Sequence, residues 1–165
     1  MSKYILISSM LFVACGPPCD TMINGLCIII NDTSIDHDAA SEGSTLAQDL
    51  WSDEFGPTNM SDLADAHGLV IYYEDKNAFG HSDLRGTFTW YNNGIASPFV
   101  RVLSDSEFNE YQQCMTGYVL GHELLHFLEY TATGSGSINH SDPRIWLNID
   151  LAIYSNMARF CLGNE

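Results

Sequence analysis

The chain has 165 residues, which favours one domain, and its 21 acidic against 6 basic residues leave a formal charge of -15. Such a surface repels nucleic acid and anionic lipid headgroups, so DNA and RNA binding are set aside. Past the first residues no apolar run is long enough to span a membrane, and the acidic residues are spread along the chain as a solvated face.

Lys3 gives a short positive start, Tyr4 to Val13 an apolar stretch, and Val13-Ala14-Cys15-Gly16 a small-residue ending. This is the form of a secretory signal peptide over residues 1–14, with 15–23 as a spacer and 24–165 as the folded domain. The ending Leu11-Phe12-Val13-Ala14-Cys15 resembles the lipobox of bacterial lipoproteins, which implies cleavage before Cys15 and its lipidation. With Gly rather than Asp at 16, the resemblance implies the outer membrane in a Gram-negative host. The alternative is plain secretion with Cys15 left free or disulfide-bonded. Taking Cys15 away leaves Cys19, Cys27, Cys114 and Cys161, an even set that suits two disulfides in an exported protein. Three pairings are open, and Cys19–Cys27 with Cys114–Cys161 is the favoured one.

Leu26 to Ile30, apolar and β-branched between Asn24-Gly25 and Asn31-Asp32, reads as a buried strand. Asp36 to Ser44 reads as a polar loop. Leu46, Leu50, Trp51 and Phe55 fall at helical spacing before Gly56-Pro57 stops the helix. Leu69 to Glu74, Thr87 to Tyr91 and Phe99 to Leu103 are three further strands, with a turn at Asn92-Asn93-Gly94. Ser104 and Glu107 have the spacing of a capping box opening a helix that runs through Tyr118 and Val119. A glycine-rich break at Gly134-Ser135-Gly136 separates it from a last helix, about Ile145 to Cys161.

That long helix carries Gly121-His122-Glu123-Leu124-Leu125-His126. His122 and His126 are four apart, so a helix stacks them on one face where a single cation can take both, with Glu123 beside them. This H-E-x-x-H spacing is the pattern of zinc-dependent peptidases: two zinc ligands and a general base. With the element order it is similar to a minimal metzincin, close to short matrixin-like bacterial proteins. The resemblance implies an α+β zincin fold, a small twisted mixed sheet packed on an active-site helix plus a C-terminal helix.

Metzincins continue as H-E-x-x-H-x-x-G-x-x-H, often followed by Ser-Asp. Here position 129 is Glu, position 132 is Ala, and His140-Ser141-Asp142-Pro143 supplies the ending eight residues late (140 against 132). Without glycine at 129 the helix can run on by roughly 5.4 Å, and about four extended residues return more than 10 Å. His140 is the expected third ligand, with Asp142 and Glu129 as rivals. The family's Met-containing turn has no counterpart, because Met157 falls inside the last helix; Ile145-Trp146 take its place, and Trp146 is the expected floor. His81-Ser82-Asp83, near His67 and Asp75, has the H-x-D form used by matrixin-like enzymes at a structural zinc; its plain reading is an exposed loop, as for His37.

The expected function is hydrolysis of peptide bonds outside the cytoplasm by a monomeric zinc endopeptidase. Glu123 serves as general base and Tyr154 steadies the oxyanion. A peptide or protein substrate is expected to lie along an edge strand formed by Phe99, Val100, Arg101, Val102 and Leu103. Membrane contact is expected through the lipid alone. Two other readings are a non-catalytic zinc-binding or interaction lipoprotein and a different zinc hydrolase on the same scaffold.

Overall fold

The computed structural model describes residues 18–80, 84–90, 97–134 and 140–163. The expected signal segment with Cys15, the triplet His81-Ser82-Asp83 and the expected turn at Asn92-Asn93-Gly94 lie outside the described residues. Within them, a five-stranded mixed sheet packs with several helices in a mixed α/β arrangement. The strands are β1 (Thr21–Ile23), β2 (Leu26–Asn31), β3 (Val70–Glu74), β4 (Gly86–Thr89) and β5 (Phe99–Leu103), in the order β1-β2-β3-β5-β4. β2, β3 and β5 run parallel, while β1 and β4 pair antiparallel at the two edges. The helices are α1 (His37–Phe55), α2 (Met60–His67), α3 (Lys76–Phe79), α4 (Glu110–Cys114), α5 (Thr116–Thr133) and α6 (Asp150–Cys161); a wide π-type turn, Arg144–Ile149, leads into α6.

Parallel strands carry helices on their faces and are rich in β-branched residues, as the inner strands are here. Ile28, Ile71 and Val100 stand in register across β2, β3 and β5. All three are fully buried, in one core with Leu120, Leu124 and Phe127 of α5 and with Trp51 of α1.

Four expectations change. Asp36 to Ser44 is not a loop: Asp36 caps α1 by accepting from the Ala39 N–H, and the helix starts at His37. Its small residues disguise it. α1 crosses α5 so closely that a Cβ on Gly43 would sit 2.0 Å from the Gly117 carbonyl oxygen, and one on Gly117 would sit 2.2 Å from that of Ala39. Backbone-to-backbone packing of this kind needs glycine and alanine, which carry little hydrophobic signal.

The helix cap also moves. Ser104 donates its hydroxyl to the Ser34 carbonyl, and Glu107 is taken by Lys76 at 2.8 Å. Asn109 and Gln112 form the capping box instead, opening the short α4, and the chain breaks at Met115 before α5.

Phe99, Val100, Arg101, Val102 and Leu103 do not form an edge strand. β5 is hydrogen-bonded on both sides, to β3 and to β4, and its Val100 and Val102 are fully buried. A later segment has been inserted beside β3, and the edge next to α5 falls to the antiparallel β4.

The folded part also begins before residue 24. β1 pairs with β2, and the Asp20 carboxylate accepts from the Ile30 N–H at 2.8 Å. Two disulfides, Cys19–Cys27 and Cys114–Cys161, have the pairing favoured from the sequence. The second joins the last residue of α4 to the last residue of α6. Among the described residues, no helix is long and apolar enough to cross a membrane.

Candidate metal centre

α5 places His122 and His126 one turn apart, and it runs on to Thr133, where Gly134 ends it in the left-handed conformation (φ 76°). That is one turn beyond position 129, the extension expected from the absence of glycine there. The chain returns at His140, itself at φ 48°, and the ligand nitrogens of His122, His126 and His140 all lie within 4.8 Å of one another. Nε2 of His140 is 3.2 Å from Nε2 of His126. Two imidazole nitrogens on a tetrahedral zinc, at 2.0–2.1 Å from the metal, stand about 3.3–3.4 Å apart. The three-imidazole set therefore has the donor chemistry for zinc, and the His126–His140 pair stands close to the spacing that zinc requires.

The surroundings favour the same use. Asp150, in the first turn of α6, lies 2.9 Å from Nδ1 of His122, so that nitrogen carries the proton and Nε2 is left to a metal. Burial acts to lower the His122 pKa, but the Asp150 hydrogen bond and the charges of Glu123 and Asp150 outweigh it and raise the value. His140 is lowered, by burial and by the nearby His122. Trp146 is buried beneath the group, its ring centroid 4.4 Å from that of His126 and 4.1 Å from that of His140. The indole occupies the floor position.

Glu123 is 6 % exposed and points to the strand side of the site. Burial pushes its carboxyl up to about 7; His122 and the Phe88 backbone N–H pull it down, and Asp150 adds to the rise. β4 comes close enough for this because it opens with Gly86, where a Cβ would lie 2.6 Å from Oε1 of Glu123. A cleft of ≈ 260 Å³ runs between the strand and the helix, lined by Thr87, Phe88, Trp90, Glu123 and the three histidines. It continues past Glu123 into a segment bordered by Arg85, Gly86, Tyr118 and Val119.

The other sequence candidates are placed elsewhere. Asp142 accepts from the Arg144 backbone N–H and guanidinium, and its carbonyl takes the N–H groups of Ile145 and Trp146, so it heads the turn that presents Trp146. Glu129 is buried a further turn along α5, outside the three-histidine group. Tyr154 is 45 % exposed and packs edge-on against Tyr118 at 5.2 Å; Tyr118, not Tyr154, borders the cleft at Glu123. His67 packs against Phe127 and Tyr130, and Asp75 caps α3.

Asp150, Gly86 and Tyr118 are the site residues that sequence reasoning missed. A signal existed for the first: Asp150 is four residues after Trp146, on the helix face of the expected floor. No protein-family model, curated protein or solved structure matches this chain to a significant degree. The site stands on its own chemistry.

Proposed function

We propose that this protein is a metzincin-like zinc endopeptidase, exported and anchored through a lipid on Cys15. The observation that carries the reading is the convergence of three imidazoles beside a buried glutamate, facing β4, the edge strand of the sheet among the described residues. A purely structural metal site has no use for Glu123. Three protein ligands among the described residues, instead of four, leave a position open for water and substrate, as catalytic zinc sites do. His122, His126 and His140 would hold the zinc, which when bound supplies Lewis acidity and brings the pKa of a water to about 7.

The remaining steps belong to the protein. β4 offers its outer backbone groups to an extended peptide by strand addition, which sets the scissile carbonyl over the histidines. Glu123 takes the proton from the attacking water and delivers it to the leaving amine. Tyr118, kept neutral because burial and Asp150 raise its pKa, stands at the leaving-group side of Glu123. Two disulfides fit an oxidising compartment, which supports export.

The test uses residues 16–165. Bound metal is measured, and hydrolysis of a mixed peptide library is compared for the wild type and Glu123→Ala. Zinc at one per chain with cleavage lost in the variant is expected. Zinc bound without cleavage by either protein leaves a binding lipoprotein as the reading. Cleavage that survives Glu123→Ala rejects the general-base role.

A further inference from the structure

The described residues hold few cations, and most are already engaged. Lys76 is paired with Glu107 and Asp105, Arg101 with Glu74, and Arg144 with Asp142. Arg159 is bonded to the Ser155 carbonyl and the Asn156 side chain. The guanidinium of Arg85 has no carboxylate partner among the described residues. It lies over the Phe108 ring, 5.1 Å from the centroid, while the Arg85 carbonyl accepts from the Leu103 N–H at 2.8 Å. Its backbone is thus fixed at the head of β4 and its charge is laid on an aromatic face.

Its position gives it a use. Gly86 sits directly against Glu123, and Arg85 is the next residue outward, a step of about 3.3 Å along the strand. It borders the cleft segment that contains Glu123 and also the next one, an apolar hollow of ≈ 250 Å³ walled by Leu103, Phe108, Met115 and Val119. A substrate added to β4 in the more stable antiparallel sense runs from Thr89 toward Gly86. The residues that follow the scissile bond therefore arrive at Arg85.

We propose that Arg85 selects substrates by binding a carboxylate one or two residues past the scissile bond, beside an apolar side chain seated against Phe108 and Met115. The proposal rests on the peptidase reading and names its substrate class. Planar, two-toothed pairing is what a guanidinium offers a carboxylate and what an ammonium does not. The carboxylate has two sources, an acidic side chain or the free C-terminus of a short substrate.

The experiment measures binding apart from turnover. Zinc-loaded Glu123→Gln protein is titrated with peptides Ala-Ala-Ala-Leu-Xaa, where Xaa is glutamate, glutamine or lysine, each ending in an acid or an amide. Salt is kept near 0.15 M, where screening over about 8 Å limits repulsion from the rest of the surface. Tighter binding of an acidic member by about 5–10-fold is expected, as for a partly exposed charge-assisted pair. Glutamate over glutamine within the amides assigns the side chain; acid over amide within the glutamine pair assigns the C-terminus.

Adding Arg85→Gln should erase the difference, and Arg85→Glu should turn it in favour of lysine. Zinc content and thermal midpoint are followed for both variants. Equal binding of all peptides overturns the proposal, as does a carboxylate preference that survives Arg85→Glu. If the carboxylate preference is present but wild-type protein cleaves neither these peptides nor the mixed library, the peptidase reading falls and carboxylate recognition stands.

Discussion

Asp150 offers the sharpest test of the metal centre, because it can be changed without touching a ligand. Its Oδ1 holds Nδ1 of His122 at 2.9 Å, and its Oδ2 receives the Tyr118 hydroxyl at 3.4 Å. Replacing it with leucine leaves an imidazole N–H without an acceptor in a site where the His122 side chain is 21 % exposed. Losing such an acceptor costs about 1–3 kcal/mol, and partial exposure favours the middle of that range. About 2 kcal/mol corresponds to roughly a 30-fold loss of zinc affinity, within the span typical of outer-shell partners. Asp150→Asn retains an acceptor oxygen and loses only charge, so a loss of about 5-fold is expected. Competition against a chromophoric chelator measures both, and the visible spectrum of the cobalt-substituted protein reports whether the ligand geometry has changed. The metal-free proteins are unfolded in urea alongside, to separate zinc affinity from general stability. Asp150→Leu protein that binds zinc within threefold of wild type would refute the orienting role.

Other expectations follow from the packing. Gly86→Ala forces a methyl to within 2.6 Å of both the Glu123 carboxylate and Val119, so the strand or the carboxylate must give by nearly 1 Å; kcat should fall roughly 10–100-fold with zinc content retained, since misplacement on that scale is costly. A kcat within twofold of wild type would show that the strand does not position Glu123. Gly117→Ala drives a methyl into the Ala39 carbonyl, 2.2 Å away, and should lower the urea midpoint by the equivalent of about 3 kcal/mol. Removing the Cys114–Cys161 bridge by double Ser substitution opens a loop with a sequence separation of 47. The chain-entropy account gives about 4 kcal/mol for a loop of that size, measurable in the same urea titration. Zinc affinity should drop as well, because α6 carries Asp150.

The sequence by itself determined what depends on neighbours along the chain. Four-residue spacing stacks His122 on His126, β-branched runs make β2, β3 and β5, and the missing glycine at 129 lets α5 continue to Thr133. The Ser-Asp context of His140 pointed to the third histidine, and the structure brings it to the other two. Tertiary structure decided what depends on partners far apart in the chain. Which strand ends at the edge is a matter of pairing order, and no local pattern in Phe99 to Leu103 or Gly86 to Thr89 states it. The first two turns of α1 are helical because Ala39, Ala40 and Gly43 let its backbone lie against α5; small residues show no apolar period until a partner helix arrives. Asp150 acquires its role only when the Cys114–Cys161 bridge and the core contacts of Ile153 and Met157 set α6 beside His122. The three histidines could be read in one dimension, while the residues packed around them needed three.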